Sequence, residues 1–172
     1  IEASKTNADV IVFCGVLFMA ETAANLSPQK TVLLPEKTAG CPMADMITAE
    51  QLCELKSEYP DAIVVCYVNS TAEVKAQSDY FCTSSNAVEV VRSLPKDKEI
   101  IFVPDRNLGA FVSEKTGRKL ILWPGYCTTH IHISADDILK AKRQYRDALV
   151  ICHPECTADV RAIADELLST GQ

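Results

Sequence analysis

The 172-residue sequence lacks an excess of basic residues, because 17 lysines and arginines stand against 23 acidic residues and give a net charge of −6. A protein that binds a phosphate backbone needs a basic stripe, so no nucleic-acid partner is expected. The sequence also lacks an apolar run of about 18 residues, the length that a membrane-spanning helix needs, so no membrane association is expected. Its first residues lack the regions of a secretion signal, which favours a cytoplasmic location.

No CxxC pair occurs among the eight cysteines. A zinc finger or a ferredoxin-type cluster is therefore not indicated. Hydrophobic residues make up 48% of the sequence, which suffices for a large core, so the chain does not need disulfides to fold. We expect the cysteines to be reduced thiols.

Short aliphatic runs recur along the sequence, and polar residues do not alternate within them. Unbroken runs of Val, Ile and Leu are typical of strands that are buried on both faces. We expect such strands over residues 10–14, 31–34, 62–66, 100–103, 120–123 and 148–152, and one shorter strand over residues 80–83.

Helix start signals lie between these runs. Thr48 with Gln51 and Ser134 with Asp137 have the spacing of an N-terminal cap. Thr157 precedes an apolar stripe with helical spacing, formed by Val160, Ile163, Ala164, Leu167 and Leu168. Strands that alternate with helices predict an α/β fold built from three-layer αβα units with parallel sheets.

The sequence contains an internal duplication. Residues 61–80 align with residues 147–166 at a shift of 86, and nine of the twenty positions are identical. The pattern predicts a complete unit over residues 61–146, preceded by the back half of another unit (1–60) and followed by the front part of a third (147–172). A parallel sheet that is cut within a unit exposes unpaired edges, so the remainder of the same polypeptide is an expected partner.

The two copies differ where the strand ends. The differing residues are Tyr67, Val68, Asn69 and Ser70 in one copy, and His153, Pro154, Glu155 and Cys156 in the other. Ligands bind at the carboxyl ends of parallel strands, so these loops are candidates for one shared site. The alternative is that they cap the following helix. Tyr, His and Glu are poor caps, which favours a binding role.

Cys41 and Cys127 lie in Gly/Pro-containing loops and are related by the same shift of 86 residues. Loop cysteines are accessible to a metal, whereas those in apolar runs usually pack as small hydrophobes. If each of three units supplies one cysteine, three thiolates would hold a four-iron cluster and leave one iron open to substrate. The cysteines expected to be structural are Cys14, Cys53, Cys66, Cys82 and Cys152, and Cys156 with Cys152 forms a CxxxC that could oxidise or bind metal.

Other polar residues stand near these positions. Ser84 and Ser85 lie between a strand and a helix, where they could hold a carboxylate or phosphate or cap the helix. His130, three residues after Cys127, could orient a metal ligand or carry a proton. For Asp105 we expect an internal salt bridge.

The strings FMAETA, LLPEKTAGCPMADM, YVNSTAEVKAQSDYFCTSSNA, PDRNLG, WPGYCTTH and CHPEC resemble the quinolinate synthase family in order and spacing, over essentially the whole chain. The resemblance implies three similar α/β domains around a pseudo-threefold axis, with a [4Fe-4S] cluster held by one cysteine from each. Cys41 and Cys127 would be two of the ligands, and the third would lie outside this chain.

The same resemblance implies a transferase of NAD biosynthesis that condenses iminoaspartate with dihydroxyacetone phosphate to quinolinate. L-aspartate oxidase or aspartate dehydrogenase would supply the iminoaspartate. The open iron would act as a Lewis acid on an oxygen-bearing group of the substrate. The family's early histidine and tyrosine motif, its third cysteine and its late Thr/Glu-rich loop are missing, so the chain by itself is expected to hold an incomplete site.

Site roles follow from the resemblance. Glu155 is the candidate general base, and Tyr67 and His153 are candidates for proton transfer and substrate orientation. Ser84 would lie in the anion-binding loop. The implied substrate contacts are Tyr67, Val68, Asn69, Ser84, Ser85, His153, Pro154 and Glu155.

Two alternatives stay open. An open-iron cluster also suits other iron-sulfur dehydratases that remove water from hydroxy acids. From a different class, the chain could be a metal-binding or redox module in which Cys41 and Cys127 hold zinc.

Overall fold

The computed structural model describes residues 2–171, so Ile1 and Gln172, the outer limits of the first and third predicted segments, lie outside the described residues. Eight strands are described: β1 (Val10–Val12), β2 (Thr31–Leu33), β3 (Ile63–Tyr67), β4 (Tyr80–Cys82), β5 (Ile100–Val103), β6 (Ile121–Leu122), β7 (Ile151–Cys152) and β8 (Glu166–Leu167).

Helices follow most of these strands: α1 (Leu17–Leu26), α2 (Ala49–Glu58), α3 (Ala72–Ala76), α4 (Ala87–Ser93), α5 (Arg106–Thr116), α6 (Ala135–Gln144) and α7 (Ala158–Ile163). The predicted cap of α2 is confirmed, since the Thr48 and Gln51 side chains each accept a hydrogen bond from the other residue's backbone N–H. Within residues 2–171, none of the helices combines the length and apolar character that crossing a bilayer requires.

All the strand pairs that the structure describes are parallel. The central sheet has the order β4-β3-β5-β6, and β1 with β2 and β7 with β8 form two further two-stranded sheets. The prediction of an α/β fold with parallel sheets is therefore confirmed. Since parallel strands point the same way, the loops that follow β3 and β5 leave the same edge of the central sheet.

The central sheet is buried on both faces. Val65 and Phe102 pack on the side covered by α4 and α5, whereas Val64 and Ile101 pack on the side covered by α2. All four side chains are fully buried. Here the expectation from the unbroken aliphatic runs is correct.

The prediction of burial on both faces is wrong for the strands of the two-stranded sheets. Val10 and Val12 in β1 are 49% and 59% exposed, and Ile151 in β7 is 59% exposed. Each of these strands lies in a sheet of only two strands, which offers too little covering surface for both faces.

The last predicted helix is shorter than the apolar stripe suggested. α7 ends at Ile163, and Leu167 belongs to β8, which pairs with β7. Asp165 ends the helical path, because its backbone N–H and its carboxylate both bond to Val150.

The duplication is visible in the elements. α2 and α6 begin at Ala49 and Ala135, 86 residues apart, and α3 and α7 begin at Ala72 and Ala158, again 86 apart. The strand registers repeat at the same spacing, with Val65 opposite Tyr80 and Ile151 opposite Glu166. Two copies of one substructure therefore exist, while the threefold arrangement and the domain limits stay predictions.

Gly109 lies where α5 packs closely against the central sheet. A Cβ at this position would lie 2.5 Å from Leu122 Cδ2 and 2.9 Å from Phe102 Cδ1. We expect Gly109→Ala to lower the free energy of unfolding by about 1–3 kcal/mol, because overpacking outweighs the gain in helix propensity of about 1 kcal/mol. Urea denaturation of the two proteins measures the difference.

The companion variant for this prediction is Leu122→Ala, which removes the methyl group that the new Cβ would meet. In that background the penalty of Gly109→Ala should shrink, which a double-mutant cycle detects. An equal penalty in both backgrounds would show that crowding against Leu122 is not the cause.

Candidate functional site

Glu155 lies at the centre of a polar cluster that follows β7. The residue is 3% exposed, and its Oε2 is 3.0 Å from His130 Nδ1. The His130 ring stacks on the His153 ring, with centroids 4.9 Å apart and planes inclined by 19°. Residues from two distant segments thus enclose one carboxylate.

The pKa of Glu155 is set by opposing effects. Burial by itself raises the pKa, but the contacts with His130 and the Tyr67 hydroxyl outweigh it and bring the pKa below its ordinary value. The side chain is therefore a carboxylate at neutral pH. Its contact with Glu155 raises the pKa of His130, which favours the imidazolium.

His153 behaves in the opposite way. Its Nδ1 accepts a hydrogen bond from the Glu155 backbone N–H at 3.2 Å, and burial lowers its pKa. The imidazole is therefore neutral, and its proton is assigned to Nε2 because Nδ1 is an acceptor. The two stacked histidines therefore have opposite pKa shifts: protonation is favoured at His130, and His153 is neutral.

Tyr67 ends β3 and is 5% exposed. Its hydroxyl oxygen accepts a hydrogen bond from Asn69 Nδ2 at 3.1 Å. Burial, and then the nearby Glu155 charge, raise the pKa of the phenol, while Ser84 opposes the rise. The phenol therefore keeps its proton, and it can act as a donor.

The Tyr67 loop does not cap the following helix. The side chain of Thr71 performs that role by accepting from the Val74 N–H. Ser70 is buried and donates to the Tyr67 carbonyl, and Val68 pairs through its N–H with the Cys82 carbonyl. Asn69 is thus left to hold the Tyr67 hydroxyl, which argues against the capping alternative.

A cavity of about 430 Å³ lies beside this loop. Val68, Asn69 and Thr83 line one side of it, and α1 residues such as Phe18 and Met19 line the other. Its walls are mainly apolar. The loop after β3 therefore borders space large enough for a small molecule.

Ser84 and Ser85 precede α4. The Ser85 hydroxyl is 2.8 Å from the Thr83 hydroxyl, and Thr83 in turn bonds to the Asn86 side chain. Asn86 is the residue at the N-terminus of the helix, so neither serine occupies that position. Of the two, Ser84 is the one that influences the Tyr67 hydroxyl.

Cys127 faces Glu155 from the loop after β6. Its backbone N–H donates to Asp105 Oδ2 at 3.0 Å, and its carbonyl accepts from the Ile131 N–H at 3.1 Å. Burial raises the pKa of the thiol, and the Glu155 charge adds to the rise. The ligand atoms of Cys127, His130 and Glu155 all lie within 4.8 Å of one another.

Cys41 sits in an equivalent turn. Its carbonyl accepts from the Asp45 N–H at 3.3 Å, which is the same contact, 86 residues earlier, that Cys127 makes with Ile131. Cys41 lines a cavity of about 240 Å³ with Lys37 and Asp45. Both cysteines are half-buried and pack against the same hydrophobic core.

The other cysteines are less suited to binding a metal. Four are buried in the core or at strand ends, namely Cys66, Cys82, Cys152 and Cys156. Burial raises the pKa of Cys156 to about 11, which keeps this thiol protonated. Cys53 is exposed on a helix, and Cys14 is exposed as well, so the prediction that Cys14 ends a buried strand is wrong.

Two buried charged residues of the site have roles that the sequence did not indicate. Among residues 2–171 Asp105 has no ion-pair partner, in contrast to the salt bridge expected for it, and instead accepts from the N–H groups of Leu108 and Cys127. Burial raises the pKa of Asp105 to about 6. Arg161 donates to the Cys156 carbonyl at 2.8 Å and to Glu114, so it holds the Glu155 loop against α5.

Comparisons with known proteins agree with this architecture. The family model described as quinolinate synthetase A protein matches residues 1–172. A quinolinate synthase from Dehalococcoides mccartyi is 61% identical over 171 residues, which cover 99% of this chain and 56% of that protein. The corresponding protein from Geobacter metallireducens is 60% identical over 170 residues, with the same coverage of each chain, 99% and 56%.

A quinolinate synthase from Desulforudis audaxviator is 58% identical over 169 residues, covering 98% of this chain and 56% of that protein. The chain thus spans about half the length of the curated relatives it matches. Because the family model matches the chain throughout, this chain belongs to the quinolinate synthetase A protein family.

Proposed function

We propose that the assembled protein is a quinolinate synthase, a transferase that condenses iminoaspartate with dihydroxyacetone phosphate in NAD biosynthesis. The observation that carries the proposal is the cluster of Glu155, His130 and Cys127 at a carboxyl-terminal strand edge. One carboxylate, one imidazole and one thiol meet there, with their ligand atoms within 4.8 Å of one another. The three predicted units, of which residues 61–146 form the complete one, would enclose the site.

Glu155 is the proposed general base. Forming the pyridine ring requires removal of protons from carbon next to imine or carbonyl groups, and an ionised carboxylate in a buried site is suited to that step. The low pKa of Glu155 keeps the carboxylate ionised. His130 fixes its orientation through the 3.0 Å contact and can return a proton.

Tyr67 and His153 are the proposed donors to the substrate. The phenol of Tyr67 stays protonated, and Asn69 fixes the position of its oxygen. His153 Nδ1 is engaged by the Glu155 N–H, so its Nε2–H is the group that can face a ligand. Both would orient carboxylate or carbonyl oxygens rather than remove protons.

The remaining substrate contacts are assigned to the loops. Ser84 and Ser85 precede the N-terminus of α4 and would hold an anionic group such as the phosphate of dihydroxyacetone phosphate. Val68 and Pro154 would limit the space beside Tyr67 and Glu155, since Pro154 is buried and Val68 lines the cavity of about 430 Å³.

The residues fit an iron-sulfur cluster in two respects. Cys41 and Cys127 are half-buried thiols, and they lie at equivalent turns against one core, whereas four other cysteines are buried. We propose that these two hold a [4Fe-4S] cluster together with a third cysteine outside this chain. When bound, the cluster would supply an open iron that polarises a substrate oxygen.

The cluster ligands can be tested by substitution. In the anaerobically purified enzyme, Cys41→Ser and Cys127→Ser should each reduce iron and acid-labile sulfide to a small fraction of the parent content, because each removes one of three thiolates. Chemical analysis with the visible spectrum measures the loss. Cys53→Ser, which alters an exposed helical thiol, should leave both contents unchanged.

The reaction is tested by supplying iminoaspartate, generated by L-aspartate oxidase, with dihydroxyacetone phosphate and quantifying quinolinate. Product formation that depends on both substrates supports the proposal. An iron-sulfur protein that forms no quinolinate but dehydrates hydroxy acids would instead support the dehydratase alternative.

A further inference from the structure

We propose that Cys127, His130 and Glu155 form a binding site for a single divalent metal ion of the Zn²⁺ type when Cys127 carries no cluster. The proposal stands apart from the catalytic function, because it concerns the cluster-free protein and its test measures no quinolinate. It also differs from a zinc site shared by Cys41 and Cys127, since it draws all three ligands from the surroundings of Cys127.

The geometry is close to that of a three-ligand zinc site. In tetrahedral sites with sulfur, nitrogen and oxygen ligands, the ligand atoms lie roughly 3.4 Å apart. Here all three atoms already lie within 4.8 Å of one another, and His130 Nδ1 is 3.0 Å from Glu155 Oε2. Side-chain movements of about 1 Å would therefore complete the coordination.

The three ligands are held in place by the fold. The backbone of Cys127 is fixed on both sides, by Asp105 and by the Ile131 N–H. The Glu155 side chain is almost fully buried, and the His130 ring lies against His153. A site whose ligands are positioned before the ion arrives loses little conformational entropy on binding, which favours high affinity.

The charges also match. A thiolate, a carboxylate and a neutral imidazole carry a total charge of −2, which balances a divalent ion in a half-buried site. On binding, Cys127 gives up its thiol proton to solvent, and His130 coordinates through an unprotonated Nδ1. Three protein ligands leave a fourth position, which water would occupy.

The duplicated turn explains why the site belongs to Cys127 and not to Cys41. At the shift of 86 residues, Ala44 stands in the position of His130, and Asn69 stands in the position of Glu155. The Cys41 turn therefore has the thiol without its two partners. Within residues 2–171, no second group of three His, Cys, Asp or Glu side chains has the required proximity.

The test uses cluster-free protein prepared anaerobically with reduced thiols. Titration with Co²⁺ should give one bound ion per chain with a cobalt-thiolate charge-transfer band, and Zn²⁺ should displace it. Cys127→Ser should abolish the band, and His130→Ala and Glu155→Gln should each weaken metal binding at least about tenfold. Cys41→Ser is the matched control, and it should bind within about twofold of the parent.

Folding is monitored by the circular dichroism of each metal-free variant. Should His130→Ala or Glu155→Gln lose structure, His130→Gln or Glu155→Ala takes its place and carries the same expectation. The proposal is overturned if Cys41→Ser weakens binding as strongly as Cys127→Ser, which would assign the ion to both cysteines. It is equally overturned if His130 and Glu155 variants bind like the parent.

Discussion

Replacing Glu155 by Gln should lower the rate of quinolinate formation by the assembled enzyme at least about 100-fold, which is the usual contribution of a positioned general base. Glutamine keeps the size of the side chain but cannot accept a proton from carbon. The contact that orients His130, 3.0 Å from Glu155 Oε2, would persist in part through the amide oxygen. The loss should therefore appear in kcat more than in KM.

Two further measurements make this prediction decisive. The visible spectrum and iron content of Glu155→Gln should match the parent, which separates the loss of the base from the loss of the cluster. Glu73→Gln, an exposed carboxylate on α3, should retain activity within about twofold. A Glu155→Gln enzyme with an intact cluster and a nearly normal rate would remove Glu155 from the role of base.

Strand and helix positions of the central sheet were predictable from local sequence because burial there matches hydrophobicity. β3 and β5 are unbroken apolar runs, and both are buried on two faces. The end of α7 was mispredicted because Leu167 continues a helical stripe, although the duplication places it opposite β7 as Phe81 is opposite β3. At this position the alignment of the two copies predicts the structure better than the apolar stripe does.

The candidate site was predictable only in part. The duplication singled out the Tyr67 and Glu155 loops, since the copies differ there. The approach of His130 to Glu155 could not be inferred, because 25 residues separate them and no local pattern relates the two segments. The role of Asp105 was mispredicted for the same reason, since its second partner is the backbone N–H of Cys127, 22 residues away.

The Glu155 loop also depends on contacts between units. Arg161 is almost fully buried and reaches the Cys156 carbonyl on one side and α5 on the other. At the equivalent position of the first copy, Lys75 bonds to Thr22 of α1. In both copies, a basic side chain from the helix that follows the strand contacts a helix of the preceding unit. Packing between units therefore sets the position of the loop.

Replacing Asp105 by Ala should lower the free energy of unfolding by about 2–5 kcal/mol. The carboxylate is fully buried, and its two oxygens accept from the Leu108 N–H at 2.7 Å and the Cys127 N–H at 3.0 Å. Each buried N–H that loses its acceptor costs about 1–3 kcal/mol. Asp105→Asn should have a smaller effect, because the amide keeps one acceptor. Urea denaturation at pH 8, where Asp105 is ionised, measures both variants.

The position of Cys127 gives this prediction a second readout. Without Asp105 the Cys127 backbone loses an anchor, so both variants should also contain less iron per folded chain than the parent. Asp79→Asn is the matched control, because Asp79 likewise accepts a backbone N–H, from Val64 at 2.8 Å, but is exposed and remote from Cys127. If Asp105 variants lost stability while keeping a full complement of iron, Asp105 would cap α5 without positioning the proposed metal ligand Cys127, since only the bond to the Cys127 N–H links the carboxylate to that thiol.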